Sequence, residues 1–472
     1  MEPEGGECAI KDGAADIKID DPSFVKVFKS EFDAKYNIVD IQTPLNAFMS
    51  GQFKRSYAYY TLRNLLPVVL TRVIDSLTRD KGELVAQFAP TQFVQHAREE
   101  LKIIIGLISR LKYELQTDKP FQKFTGDEPD RDSWNNFISH LSNEGRTFYQ
   151  ACWMHTECYM YRKLYSFVEN SIFLKQFDYF GKIKEHALTS CQDDILSLAK
   201  YTRRTENTVE MFNELLKIDL WSNRNDLSEN EHARMFNMKV LEDVSATDSH
   251  ILANNASEIW DCLSNKKTNK QHVDFVLDNA GYELFTDFIL AEYIIEKGLA
   301  SKVRFHVKAC PWFVANITQR DFQMMLQYLS KHSDYIISLI GNKFLQFMDE
   351  GKFELAPVSY FWTGPHAFNC MNTLEPELYK TLQQSKLIIF KGDLNYRKLL
   401  SDVRWEPTQD TRTCLGGFIP SSFCTVRTIK AEVICGLSEG VVENLKLRDP
   451  NWMLTGNYGT IQYVDGAREF GY

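Results

Sequence analysis

From Phe24 to about Trp221, apolar residues recur every three or four positions, the spacing of one helix face after another. Arg55 to Asp80 reads as one long helical segment that Pro67 kinks or divides, because proline has no N–H to offer the preceding turn. Leu101, Ile104, Ile105, Ile108, Leu111 and Leu115 fall on one face of a second helix. Gln116 to Ser133 is a polar loop, followed by an aromatic-rich helix around Cys158 to Val168 and another helix after Phe177. Ser222 to Glu231 (SNRNDLSENE) interrupts this pattern, and beyond it the period changes. Short β-branched runs at 273–278, 302–307, 387–390 and 460–464 alternate with helices, which predicts βαβ units and a mainly parallel sheet. The clearest helix follows Gly281: Leu284, Phe285, Phe288, Ile289, Ile294 and Ile295 form an apolar stripe, and Lys297-Gly298 stops it. The expected fold class is therefore an α/β core with a mainly parallel sheet, joined to an N-terminal all-helical domain. Residues 1–20 are expected to be a disordered acidic tail, 21–225 the helical domain and 226–472 the α/β core. No internal repeat occurs.

Composition narrows the classes of function. The net charge of −9 argues against general nucleic-acid binding, which needs a basic face. No apolar run reaches the length of a membrane span, and the acidic, glycine-rich start (MEPEGGECAIKDGAAD) is unlike a secretory signal. The ten cysteines stand singly with no CxxC pair, so they are expected to be reduced thiols of a cytoplasmic or nuclear protein. A P-loop, a GxGxxG after a strand, a GxSxG elbow and an HExxH helix are all missing.

The chemistry gathers at strand ends. FVLDNAGYELFTDFILAEYIIEKGLASKVRFHVKACPWFVAN (275–316) places Asp278, Asn279 and Asn316 after two strands, where open α/β folds hold ligands. Oxygen donors of this kind suit a hard divalent cation such as magnesium or manganese. The plainer alternative is that Asp278 or Asn279 caps the following helix, and that Glu283 and Asp287 answer its dipole, although Glu283 is close enough to Asp278 to support it as a hydrogen-bond or proton acceptor. Downstream, IIFKGDLNYRKLL brings Asp393, Asn395, Arg397 and Lys398 to a glycine turn, and CTVRTIKAEV brings Arg427, Thr428 and Lys430. Both clusters suit a phosphate, or a charged surface turn and a strand edge. His366, in FWTGPHAF, is a loop histidine to be placed in the core or at the pocket rim.

The segments DNAGYE (278–283), KACPWFV (308–314), FWTGPH (361–366), KGDLNYRKL (391–399) and RTIK (427–430) resemble the damage-control phosphatase family. They are most similar to its subfamily marked by an R-T-x-K motif, which includes the acidic residue methyltransferase. RSYAYYTLRNLLP (55–67), ECYMYRKL (157–164) and LWSNRNDLS (220–228) extend the likeness into the helical half. The resemblance implies a Rossmann-like sheet beneath a helical domain. It also implies a phosphatase dependent on a divalent metal (manganese, nickel, cobalt or magnesium) and acting on sugar phosphates such as fructose 1-phosphate and fructose 6-phosphate. By the matching motifs, Asp278, Asn279 and Asn316 hold the metal. Asp278, Asn279, Asp393, Leu394, Asn395, Tyr396, Arg397 and Lys430 contact substrate, and Arg427, Thr428, Ile429 and Lys430 form the motif. Glu283 occupies a position associated with S-adenosylmethionine, so the rival activity is methylation of protein carboxylates. Two positions depart from the family pattern. Asn316 stands where a third ligand Asp is expected, removing one negative charge, and Asn64-Leu65 replaces an Asp-Arg pair. The first opens a third alternative, a binding protein of weakened catalysis.

Overall fold

The computed structural model describes residues 30–86, 93–143, 145–204, 208–223 and 244–466. The tail expected at 1–20 and the expected boundary at 225–226 lie outside the described residues. In the helical half, Tyr57–Tyr60, a π-turn at Thr61–Leu65 and Leu66–Arg79 follow one another without leaving helical geometry. The Leu66 N–H reaches back to the Thr61 carbonyl. Pro67 sits in the first turn of the last segment, so the missing N–H is absorbed by a widened turn and the chain does not break. Phe93–Gln116 buries Leu101, Ile104, Ile108, Leu111 and Leu115, while Ile105 only packs at the margin of the core. The aromatic-rich helix is Trp153–Glu169, and the segment after Phe177 divides into Gly181–Ser190, Gln192–Arg204 and Val209–Ser222.

Among the described residues seven strands follow: β1 (Ile251–Asn254), β2 (His272–Val276), β3 (Lys302–His306), β4 (Phe353–Leu355), β5 (Ser385–Lys391), β6 (Phe423–Thr428) and β7 (Gly459–Val464), in the order β1-β7-β6-β5-β2-β3-β4. Every pairing is parallel except β6 with β7. The hydrophobic runs mark β2, β3, β5 and β7; β1 and β4 are too short to show a period, and β6 was legible only as an edge. After β2 the chain moves through β3 to β4, then returns to the other side of β2 with β5. The reversal of direction falls between β2 and β5, the switch point at which such sheets open a crevice.

Side chains alternate across the sheet. Val273, Phe275, Leu277, Val303, Phe305, Leu387 and Ile389 join a core with Leu188 to Trp221 and the helices Tyr282–Glu296, Gln319–Ser330 and Tyr335–Asp349. Val276, Ile388, Phe390 and Phe423 face the other way, into a core continuous with the N-terminal helices. The helical half thus covers one face of the sheet with its earlier helices and contributes its later ones to the opposite face. The helix Tyr282–Glu296 is not amphipathic as its stripe suggested: every residue from Tyr282 to Ile294 is buried. It lies between the sheet and an outer layer, so even Glu283 and Asp287 point into protein. Among the described residues, eight cysteines are free thiols. Among the described residues no helix is long and apolar enough to cross a membrane.

Candidate active site

Beyond β2 the chain continues into Asp278 and Asn279. The loop after β3 returns to the same place, where Asn279 and Asn316 form an antiparallel bridge and the Ile317 N–H donates to the Asp278 carbonyl at 2.9 Å. The loop turns with Phe313 and Val314 in the left-handed region, at φ 42° and 61°. That conformation is unfavourable for a β-branched residue and persists because the surrounding core holds it.

Three amides then converge on one carboxylate. Nδ2 of Asn223, Asn279 and Asn316 donates to Asp278 at 2.9, 3.0 and 2.9 Å. Asn223 and Asn279 also donate to Glu283 Oε2, at 2.7 and 3.0 Å. Asn316 Oδ1 is buried with no partner. Burial pushes the Asp278 carboxyl upward, opposed by the charge of Lys308, a hydrogen bond from Asn223 and the charge of Lys430. Burial likewise raises Glu283, to about 7, against the pull of Lys391. Neither Asp278 nor Asn279 caps the next helix: the N-cap is Gly281, which makes no side-chain bond. Glu283 and Asp287 do not answer a dipole in solvent either. They share the buried Lys391 ammonium with Asp219, at 3.7, 3.2 and 2.6 Å respectively. One cation serves these three groups, and burial raises the pKa of Asp287 as it does that of Glu283.

Gly392, at φ +78°, closes the turn from β5 onto this group: a Cβ there would lie 1.9 Å from Asp278 Oδ2. Only glycine permits that approach. The segment that follows divides by direction. Asp393 and Leu394 line the cleft, with Asp393 Oδ1 held by Arg427 Nε at 2.8 Å. Asn395 and Tyr396, expected to touch substrate, turn inward instead, because a helix begins at Gly392 and carries them to its buried side. Asn395 donates to the Lys391 carbonyl at 2.8 Å, and the Tyr396 hydroxyl to Gln462 at 2.9 Å. Arg397 borders the cleft, but its guanidinium is engaged by Glu157 and Asp402, each at 2.7 Å, and lies 3.5 Å over the Trp153 ring. It is therefore poorly placed to clamp a phosphate.

In the RTIK motif the four residues do four different things. Arg427 braces Asp393 and donates to the carbonyls of Val433 and Ala431. Thr428 donates to Asn223 Oδ1 at 2.9 Å, and Ile429 is core. Lys430 lines the cleft, with Nζ 2.5 Å from the Asn223 carbonyl. Lys398 is buried, donating to the Gly364 carbonyl at 2.7 Å. His366 packs edge-on to Phe137, and burial pulls its pKa down to about 3; it takes no part in the cleft.

Sequence patterning missed two residues. Asn223, just past the helix Val209–Ser222, ties Asp278 and Glu283 to Thr428 and Lys430 through its side chain and carbonyl. Lys308 Nζ donates to the Leu277 carbonyl and to Asn395 Oδ1, and burial lowers it to about 8. Each stands in a segment that carried the family likeness, LWSNRNDLS and KACPWFV, but neither belongs to a local motif with a chemical signature. The cleft itself is narrow, about 90 Å³, and its far wall comes from the helical half: Tyr57, Thr61, Leu65 and Leu66 from one helix, Trp153, Glu157 and Tyr161 from another.

A charged cleft, roofed by helices, lies at the switch point of this mainly parallel sheet, where open α/β folds hold their ligands. The model of the damage-control phosphatase ARMT1-like domain matches residues 61–445. The chain is 38% identical to the Homo sapiens protein named damage-control phosphatase ARMT1, over 88% of this chain and 98% of that one. It is 35% identical to the Danio rerio protein of the same name, over 89% and 97%. A DUF89 family protein from Pyrococcus horikoshii shares 15% identity over 85% of this chain and 96% of its own, at a TM-score of 0.42, too remote to inform the site. The chain belongs to the damage-control phosphatase ARMT1-like family, and that membership supports a phosphatase, a hydrolase, as its class of activity.

Proposed function

We propose that this chain hydrolyses phosphate monoesters, among them sugar phosphates such as fructose 1-phosphate and fructose 6-phosphate, with a divalent cation: manganese, nickel, cobalt or magnesium. The observation that carries this is the meeting of Asp278, Asn279 and Asn316 in one cleft with Lys430. Among the described residues no group of three His, Cys, Asp or Glu is arranged to hold a metal, since two of the three donors here are amides. The chemistry of the donor set nonetheless fits a hard cation. The Asp278 carboxylate is buried, the Asn316 oxygen has no partner, and a half-turn of either amide exchanges its nitrogen for oxygen with little change of shape. When bound, such an ion polarises a phosphoryl oxygen, an effect worth several kcal/mol.

The chain's own groups supply the rest. Lys430 neutralises charge on the phosphoryl oxygens as it grows, and does so without moving because the Asn223 carbonyl holds it. Asp393, fixed by Arg427, is the carboxylate of the cleft placed to attack or to take a proton. Asn223 keeps these two halves in register. The rival activity, methyl transfer, has no observation in its favour: Glu283 does not line the cleft, and its oxygens face Asn223, Asn279 and Lys391. The test is release of inorganic phosphate from a panel of sugar phosphates with each cation in turn. Release by every cation-loaded sample and none after chelation is expected; methyl-group transfer without added metal would overturn the proposal.

A further inference from the structure

Besides Asp278, two carboxylates among the described residues line the cleft, and their surroundings differ. Asp393 is gripped by Arg427, through Nε at 2.8 Å and Nη2 at 2.7 Å. Glu157 belongs to the far wall, on the helix Trp153–Glu169, where Trp153, Glu157 and Tyr161 recur every four residues and so share one face. It is buried, and its Oε2 accepts from Arg397 Nη1 at 2.7 Å. Its Oε1 has no hydrogen bond among the described residues and is not sealed in protein, so it opens on the cleft. The same guanidinium serves Asp402 twice, through Nε at 2.7 Å and Nη2 at 3.1 Å, and Asp402 also accepts the Met154 N–H at 2.8 Å. One cation between two buried carboxylates leaves one of them better off with a proton, and Glu157, with a single bond, is that one. Burial raises Glu157 to about 7 against the pull of Arg397, and the charges of Asp402 and Asp393 add to the rise.

Resting on the phosphatase proposal above, we infer that Glu157 is the general acid of the reaction, giving its Oε1 proton to the alcohol oxygen as the phosphate ester breaks. A sugar alkoxide leaves poorly unless it is protonated as it departs, and an acid that titrates near neutrality is suited to the task. With the phosphoryl group beside Lys430, the alcohol half is turned to the wall that carries Glu157. The bond from phosphorus to the alcohol oxygen breaks, and that oxygen keeps the electron pair and takes the Glu157 proton. Water supplies the hydroxyl that phosphorus gains, and its second proton restores Glu157. In the interval Arg397 holds Glu157 as a carboxylate.

The test varies the leaving group. Glu157→Gln keeps the shape and an acceptor for Arg397 but has no acidic proton. In the metal-loaded full chain it is expected to lower kcat/KM for fructose 1-phosphate by about 10²–10⁴. For p-nitrophenyl phosphate and acetyl phosphate, whose leaving groups depart as stable anions, the loss is expected to be at least about tenfold smaller. All three are measured on one preparation, so the fraction folded cancels from the comparison. Equal losses on every phosphate, the mark of a positioning role, would overturn the inference, as would no loss on any. If the variant does not fold, the wild type decides: across alkyl phosphates of falling alcohol acidity its kcat is expected to change by less than about tenfold, and a steady larger fall would overturn the inference. Wild type active on the two activated phosphates alone would overturn it too, leaving the phosphatase proposal standing. Release of phosphate from none of these compounds would reject both.

Discussion

Asp274 on β2 and Asp278, two residues past the end of that strand, are both buried, and they have opposite fates. Asp274 is fully answered. Arg304 binds it through two nitrogens at 2.7 and 3.1 Å, His306 at 2.7 Å, and Ser385 donates to it from β5. Burial alone would raise its pKa, but His306 and Arg304 outweigh that and draw it down to about 2. Asp278 is met by three neutral amides and by lysines that do not pair with it, so burial wins and its pKa rises. A buried charge whose partners cancel it is structure. A buried charge left short of positive partners is held ready for something not belonging to the chain, and sites of that kind mark function.

Exchanging the two roles by mutation gives the sharpest check. Asp278→Asn is expected to cut phosphate release by ~10³ or more, about 4 kcal/mol of barrier, while the urea midpoint stays level or rises. A variant that keeps its rate would remove the proposed cation site. Asp274→Asn should do the reverse, costing about 3–5 kcal/mol in urea unfolding because Arg304 and His306 lose their anion. Its rate per folded molecule should stay near wild type, and a large loss of rate would mean that the two ends of β2 are not independent. Gly392→Ala strikes the site through the backbone: the new methyl must displace Asp278, and a loss of about 10² in kcat/KM is expected, read against thermal unfolding to separate misfolding from misplacement.

Acid should distinguish the aspartates as well. Asp274 falls from an ordinary 3.8 to about 2 on folding, so its contribution is complete above pH 4 and is lost as the pH drops through 2, an effect of about 2 kcal/mol. Urea melts of wild type and Asp274→Asn between pH 5 and 2 should converge toward the acid end; parallel curves would refute this. The smallest expected change is a gain. Asn316→Asp converts the amide whose oxygen has no partner into a carboxylate and should tighten manganese binding by about tenfold in calorimetry. No tightening would show that position 316 does not face the ion.

Family membership explains why so much of the site was visible before any coordinates, yet the visible part was uneven. Asp278, Asn279, Asn316, Asp393, Leu394 and Lys430 fall in motif blocks and meet in the cleft. Asn395 and Tyr396 belong to the same block but point inward, because a motif names consecutive residues while a helix sends them in different directions. The helix dipole accounted for Glu283 and Asp287 as readily as a role in the site did, since nothing local shows that a second layer of helices covers them.

Periodicity by itself determined the helical half, four of the strands and the parallel habit of the sheet, because side-chain spacing of three to four or of two is written along the chain. It also determined which residue types stood at strand ends. Only the folded chain decided that β5 returns beside β2, opening the crevice there, and that Asn223 bridges Asp278 to Lys430. Those contacts join positions tens to hundreds of residues apart, and their geometry depends on packing across the whole sheet. No local pattern carries that information.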